Sequence, residues 1–315
     1  MVDKFNVEKF YDFFDNVASI LYDDKELPYI EGMIFAFNRL LDIDNELVIK
    51  DDLITQIDKI INEVTKTEFN AEEIRKSVQL GLLKGFKHTR SKNSEMTPDT
   101  IGIFIAYLVE KLYKDQKLKN VFDPLIGTSN LISTLLNQLK QDIQVYGIDN
   151  DPLKCKLSKS ILDLLDFDNE VFVQDTFTFN NGSFDLIVTD MPIDDVEKDG
   201  LYFPFGVINH HLDNLSPGGF FISVIENDFF ERKGNDVFKK EIDDRADIFG
   251  LIKLSDTMFN TNPKSILILR KKGKDITKEN KFLLVDLPSF NDIDDLNKTI
   301  NNINEWFINR EVDEL

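Results

Sequence analysis

Val121-Phe122-Asp123-Pro124-Leu125-Ile126-Gly127-Thr128-Ser129-Asn130, then a leucine-rich stretch over 131–140, then Ile143-Gln144-Val145-Tyr146-Gly147-Ile148-Asp149, is the part of the chain whose reading decides the fold. Two apolar residues running into Asp-Pro and a glycine predict a short buried strand ending in a tight turn. A helix follows at once: Leu131, Leu135, Leu136 and Leu139 recur at helical spacing, and the hydroxyl of Thr128 or Ser129 is placed to cap the first turn. A second strand then ends at Asp149. Strand, glycine turn, helix and acid-terminated strand make the opening βαβ of a doubly wound nucleotide-binding sheet, with its ligand crevice at the carboxyl ends of the strands. Asp149 stands 22 residues beyond Gly127, a separation suited to a ribose diol.

The glycine count selects the nucleotide. A dinucleotide fold needs several glycines so that the backbone can close on a pyrophosphate, and only Gly127 is present here. S-adenosyl-L-methionine carries no phosphate, and an acid such as Asp123 can hold its α-ammonium by a charge-assisted bond. A dehydrogenase is disfavoured on the same ground. Asp123-Pro124-x-x-Gly127-Thr128-Ser129-Asn130 resembles motif I of adenine-N6 DNA methyltransferases, particularly the modification subunits of type I restriction systems and a group of smaller bacterial relatives. That family has glycine where Ser129 stands, so the turn here is less permissive.

The resemblance implies an α/β fold: a class I (Rossmann-like) S-adenosylmethionine-dependent methyltransferase sheet preceded by a helical N-terminal domain. Met96-Thr97-Pro98-Asp99 opens a helix through residue 112, with Thr97 as a cap and Pro98 at the first helical position. Thr97-Pro98 also resembles motif X, which lies over the methionine end of the cofactor. The cofactor set carried over is Thr97, Pro98, Asp123, Gly127, Thr128, Asn130, Asp149, Asn150, Asp175 and Thr176. Asp175, after a third short strand over 171–175, matches the acid that reaches the adenine amine; a turn-forming cap reads equally well from its position.

The end of the fourth strand, 184–189, bears on the acceptor. Adenine-N6 enzymes place there an Asn, Asp or Ser, two prolines and an aromatic that stacks on the flipped base. This sequence has Asp190-Met191-Pro192-Ile193. Asp190, with the Met191-Pro192 backbone, is the expected acceptor-orienting group. Ile193 in place of the aromatic removes stacking worth about 1–3 kcal/mol unless Tyr202 or Phe203 supplies it.

Composition narrows the partners. The 315 residues, 42% hydrophobic, suit one large or two modest domains. No apolar run approaches the roughly 20 residues of a membrane helix, and the N-terminus lacks a signal peptide's apolar region, so a cytoplasmic protein is expected. One cysteine, Cys155, falls off the Leu153, Leu157, Ile161, Leu164 stripe and reads as an incidental thiol, while His88, His210 and His211 are too scattered for a metal cage. A net charge of −20 suits the chain poorly to neutralise phosphates alone. A nucleic-acid acceptor is therefore expected to come with a partner protein that supplies recognition, as in type I systems.

Three segments are expected: a helical domain over 1–92, a methyltransferase domain over 93–275, and a strand and helix extension over 276–315. In the first, Phe10, Phe13, Phe14, Val17 and Leu21 form one stripe and Ile30, Met33, Ile34, Phe37 and Leu41 another, with Asn70 and Glu73 spaced as a capping box. Residues 194–200, with four acids, read as a loop over the site. Beyond them come a helix from Tyr202, a Ser216-Pro217-Gly218-Gly219 turn, strands over 220–226, 249–254 and 264–271, an edge strand near 282–285, and a terminal amphipathic helix. Two functions remain: an N-methyltransferase, or a non-catalytic cofactor-binding sensor or interaction protein on the same scaffold.

Overall fold

The computed structural model describes residues 2–44, 47–89, 96–180, 182–192, 197–198, 201–259, 262–277 and 281–313. Four helices come first: α1 (Lys4–Lys25), α2 (Tyr29–Leu40), α3 (Asp51–Val64) and α4 (Ala71–Thr89). Next come α5 (Asp99–Leu112), β1 (Asn120–Asp123), α6 (Asn130–Leu139), β2 (Gln144–Asp149), α7 (Pro152–Leu164), β3 (Asn169–Val173) and β4 (Phe184–Asp190). A two-residue pairing of β5 (Glu197–Lys198) with β6 (Leu201–Tyr202) leads to α8 (Phe203–His211), β7 (Leu215–Glu226) and α9 (Asn235–Asp243). The chain ends with β8 (Ala246–Lys253), β9 (Lys264–Lys271), β10 (Leu283–Asp286) and α10 (Ile293–Asp313).

Eight strands form one mixed sheet in the order β10-β8-β9-β7-β4-β1-β2-β3. β1 pairs with β4, and β4 with β7, in parallel; β9 runs antiparallel to both β7 and β8. The chain visits β1, β2 and β3 on one side and then returns to lay β4 on the other side of β1. The β1/β4 carboxyl ends are thus the topological switch point, where open α/β sheets bind ligands.

Two compact units partition the chain: Met1–Ala106 with Ile126–Val145 and Asp149–Val173, and Tyr107–Leu125 with Tyr146–Ile148 and Gln174–Leu315. In the first, the expected stripes of α1 and α2 form the core, except for Leu41, which lies just past α2 and is exposed. Phe10, Phe14 and Phe37 pack edge to face, joined by Leu157 and Ile161 of α7. Each such buried ring contributes about 1.5–3 kcal/mol. Gly32 lets α2 close on α1, since a Cβ there would lie 2.8 Å from the Ala18 Cα. The capping box forms in both directions: Glu73 N–H donates to Asn70 Oδ1 at 3.0 Å and Asn70 N–H to Glu73 Oε2 at 3.1 Å.

In the second unit, Phe122 stacks on Phe179 and Phe184, and Phe205 stacks on Phe238. α10 docks as expected: Trp306 and Phe307 lie against Phe249, and the Tyr107 hydroxyl donates to Asn304 Oδ1 at 3.0 Å. Three details differ from the sequence expectation. The Ser216-Pro217-Gly218-Gly219 turn is a bulge inside β7, with Gly218 at φ 82° and the β4 register jumping from Leu215 to Phe220. α9 carries a weak apolar stripe of Phe238 and Ile242 and was not anticipated. Cys155 is 4% exposed, its thiol facing the carbonyls of Asp149 and Phe172, so it packs rather than standing off the stripe.

Candidate active site

The expected cofactor loop follows β1. Gly127 has φ 52°, in the left-handed region that glycine enters without a Cβ penalty. Ser129 also has φ 57°, at a cost on the order of 1 kcal/mol for a residue with a side chain. The expected Ser129 cap does not form. An N-cap needs extended φ/ψ to swing its oxygen over the first turn, and the left-handed Ser129 turns its hydroxyl to the Thr128 carbonyl at 2.6 Å instead. α6 thus begins without a side-chain cap.

Asp149, at the end of β2, is held by the backbone. Its Oδ2 accepts from Gly127 N–H at 3.2 Å and its Oδ1 from Asp151 N–H at 2.9 Å. The Ser158 hydroxyl donates to the Gly127 carbonyl at 2.6 Å, pinning the turn from α7. Thr97, Thr128 and Asn130 are buried, Pro98 and Asn150 exposed. Asn130 Nδ2 donates to the Thr97 carbonyl at 2.5 Å, so the two sequence motifs assigned to the cofactor meet.

Asp123 and Asp190 end neighbouring parallel strands at the switch point. Asp123 is 2% exposed and its Oδ1 accepts from Leu125 N–H at 3.0 Å. Asp190 is met by a residue that sequence reasoning missed: Lys264, only 5% exposed at the head of β9, donates to its Oδ1 at 2.6 Å. The one available signal was a lysine opening an otherwise apolar strand, Lys264-Ser265-Ile266-Leu267-Ile268-Leu269. Met191 is buried, its N–H donating to the Val224 carbonyl at 2.9 Å, and Pro192 is half-buried. Ile193 and most of 194–200 lie outside the described residues.

Of the two candidate replacements for the stacking aromatic, Tyr202 is enclosed. Its hydroxyl donates to Glu226 Oε2 at 3.1 Å, Phe205 and Phe229 pack on its ring, and Arg232 lies 5.2 Å over its face. Phe203 is half-buried, edge-on to Phe177 at 5.5 Å.

Asp175 lies two residues past β3, exposed, and caps a 3-10 turn by accepting from Phe177 N–H at 2.9 Å. Thr176 is buried against His211. Asn214 Nδ2 donates to His211 Nδ1 at 3.2 Å, which leaves the proton on Nε2 to be donated to Thr176 Oγ1 at 2.7 Å. His211 is therefore a packing residue. Burial, then neighbouring His210, pushes its pKa down to about 3. A histidine kept neutral in the fold but free to protonate when unfolded stabilises fully above its unfolded pKa of about 6.5 and progressively less below it. Melting temperature is expected to fall between pH 7 and pH 5, and His211→Gln to flatten that slope; an unchanged slope would place its origin elsewhere.

Among the described residues no helix is long and apolar enough to cross a membrane, and no cluster of His, Cys, Asp and Glu is suited to a metal ion. The family described as N-6 DNA methylase matches residues 80–314, and the YtxK N-terminal helical domain matches residues 8–86. The chain belongs to the N-6 DNA methylase family. Within the chain's relatives, the uncharacterized protein YtxK of Bacillus subtilis is 30% identical, over 97% of this chain and 99% of its own length. The Type I restriction enzyme MjaIX methylase subunit of Methanocaldococcus jannaschii is 27% identical over 94 residues, 27% of this chain and 17% of that one. A Listeria monocytogenes structure described as a class I S-adenosylmethionine-dependent methyltransferase has a TM-score of 0.84 at 28% identity, covering 97% of this chain and 100% of the other. The fold is shared with a Vibrio vulnificus type I restriction modification subunit, TM-score 0.60 at 15% identity, over 86% of this chain and 66% of that one.

Proposed function

We propose that this N-6 DNA methylase family member is an S-adenosylmethionine-dependent N-methyltransferase whose acceptor is a nucleic-acid amine presented with the help of a partner protein. The observation that carries the reading is the Asp149 carboxylate. Backbone N–H groups fix both of its oxygens, and a carboxylate has about four acceptor sites, so each oxygen keeps one for a ribose hydroxyl. The resemblance carries the other positions over to the same ligand: the buried Asp123 carboxylate as acceptor for the α-ammonium, Gly127, Thr128 and Asn130 along the methionine moiety, Thr97-Pro98 over its end, and Asn150, Asp175 and Thr176 toward the adenosine.

When bound, the cofactor supplies an electrophilic methyl group on sulfur. The chain's contribution is alignment, and alignment supplies most of the rate in such a transfer. Asp190 is fixed in place by its 2.6 Å bond from Lys264 Nζ and accepts a hydrogen bond from the acceptor amine, with the Met191-Pro192 backbone fixing the direction of its lone pair. Lys264 makes this carboxylate a fixed acceptor. Lys264→Met would strand a largely buried charge, and the expected loss is about 3 kcal/mol of stability by urea denaturation. Most of that loss should return in the Lys264→Met, Asp190→Asn double variant; no recovery would show that the pair is not the cause.

A second reading, a cofactor-binding sensor without transfer activity, is favoured by the same pair and by the enclosed Tyr202, since both leave the acceptor side already occupied by protein groups. Calorimetric titration with S-adenosylmethionine, with NAD as control, tests the cofactor. Transfer of labelled methyl to nucleic-acid, protein and small-molecule acceptors, lost in Asp190→Ala, then separates the enzyme from the sensor.

A further inference from the structure

The N-terminal helices reach the cofactor loop through buried charge. Arg75 on α4 is 1% exposed, and all five of its N–H donors have acceptors. Nε and Nη2 hold Glu72 at 2.8 and 2.7 Å, Nη1 and Nη2 hold Asp99 at 2.7 and 2.9 Å, and Nη1 also meets Thr134 Oγ1 at 3.0 Å. A guanidinium is tolerated at this depth only when paired in this way. Burial works against both charges. Hydrogen bonds from Arg75, Lys76 and Gln79 nevertheless hold the Asp99 carboxyl well below the usual carboxylate range, and Asp99 and Glu72 raise Arg75.

Asp99 is the first residue of α5, directly after Thr97-Pro98. Gly102 brings α5 onto α6, where a Cβ would come 2.8 Å from the Thr134 methyl. One helical turn beyond Arg75, Gln79 donates from Nε2 to Asp99 and to Asn130 Oδ1, the latter at 2.9 Å. Donor and acceptor directions are forced. The Thr97 carbonyl can only accept, so Asn130 turns its NH2 to it; this leaves Asn130 Oδ1 facing Gln79, whose NH2 also serves the acceptor-only Asp99. Both polar ends of the Asn130 side chain are thereby set.

We propose that Gln79, itself oriented through the Arg75–Asp99 pair, is a positioning residue for the cofactor loop, so that the N-terminal helical segment sets the geometry of Asn130 and of the Thr97 carbonyl. The proposal rests on the assignment of Thr97 and Asn130 to the cofactor. A helical segment that only added stability would not need a side chain directed to this amide.

The test pairs Gln79→Leu with Arg39→Met, which removes a half-exposed ion pair to Asp58 in the same helical segment. Gln79→Leu should weaken S-adenosylmethionine binding by about tenfold in calorimetry, from loss of the hydrogen bonds that set Asn130. In the ligand-free protein, amide hydrogen exchange over 127–133 should quicken severalfold while the rest of the chain is unchanged. Arg39→Met should leave both readings as in the wild type. Unchanged affinity and unchanged exchange over 127–133 in Gln79→Leu would overturn the proposal. If the wild type fails to bind S-adenosylmethionine, the cofactor assignment falls, and the exchange measurement alone decides the positioning: faster exchange confined to 127–133 supports it, and unchanged exchange overturns it.

Discussion

Arg75→Met is expected to lower the unfolding free energy by about 3–5 kcal/mol, the usual cost of removing one partner from a buried ion pair. The cost arises from what stays behind. Glu72 and Asp99 would face each other without the guanidinium that now bonds both, and Thr134 would lose a donor. Lys76 also reaches Asp99, but it is 39% exposed and cannot replace five planar donors. The effect should depend on pH. Because the Asp99 pKa is depressed in the fold, its contribution is fully present above the unfolded carboxylate pKa of about 4 and is lost as pH falls toward the folded value. Urea denaturation at pH 7 and pH 3 should therefore show a smaller gap between wild type and variant at the lower pH. Equal gaps would mean that packing of the arginine stem, not its charge, carries the effect.

Asp149→Ala is expected to weaken S-adenosylmethionine binding by about 100-fold. Two hydrogen bonds from ribose hydroxyls to a carboxylate are together worth about 3 kcal/mol, which converts to that factor. The same side chain accepts from Gly127 and Asp151 N–H, so alanine also loosens the turn. Asp149→Asn separates the two roles: it keeps one acceptor oxygen and the side-chain shape while removing the charge, and should fall between wild type and alanine in affinity. Calorimetric titration of the three proteins reads the series. Unchanged affinity in Asp149→Ala would remove the ribose from this carboxylate.

Much of the architecture was legible in order along the chain, because the signals are local. Periodic apolar residues specify α1 and α2, Asn70 and Glu73 cap each other three residues apart, and Val121 to Asp149 spans a single βαβ unit. Misreadings fell where a local signal had two outcomes. Ser129 has the residue type of a cap but the backbone of a left-handed turn, and Pro217-Gly218 bends a strand without ending it.

The sequence by itself determined the fold family and the acids at the strand ends, since hydrophobic period, turn residues and spacing are properties of neighbouring positions. Only the tertiary structure decided what those acids touch. Lys264 lies 74 positions from Asp190 and Gln79 lies 51 positions from Asn130, and nothing along the chain marks either as a partner. Such pairings exist because the sheet order sets β9 beside β7, which in turn flanks β4, and because α4, α5 and α6 pack together closely enough that a buried arginine must find its carboxylates there.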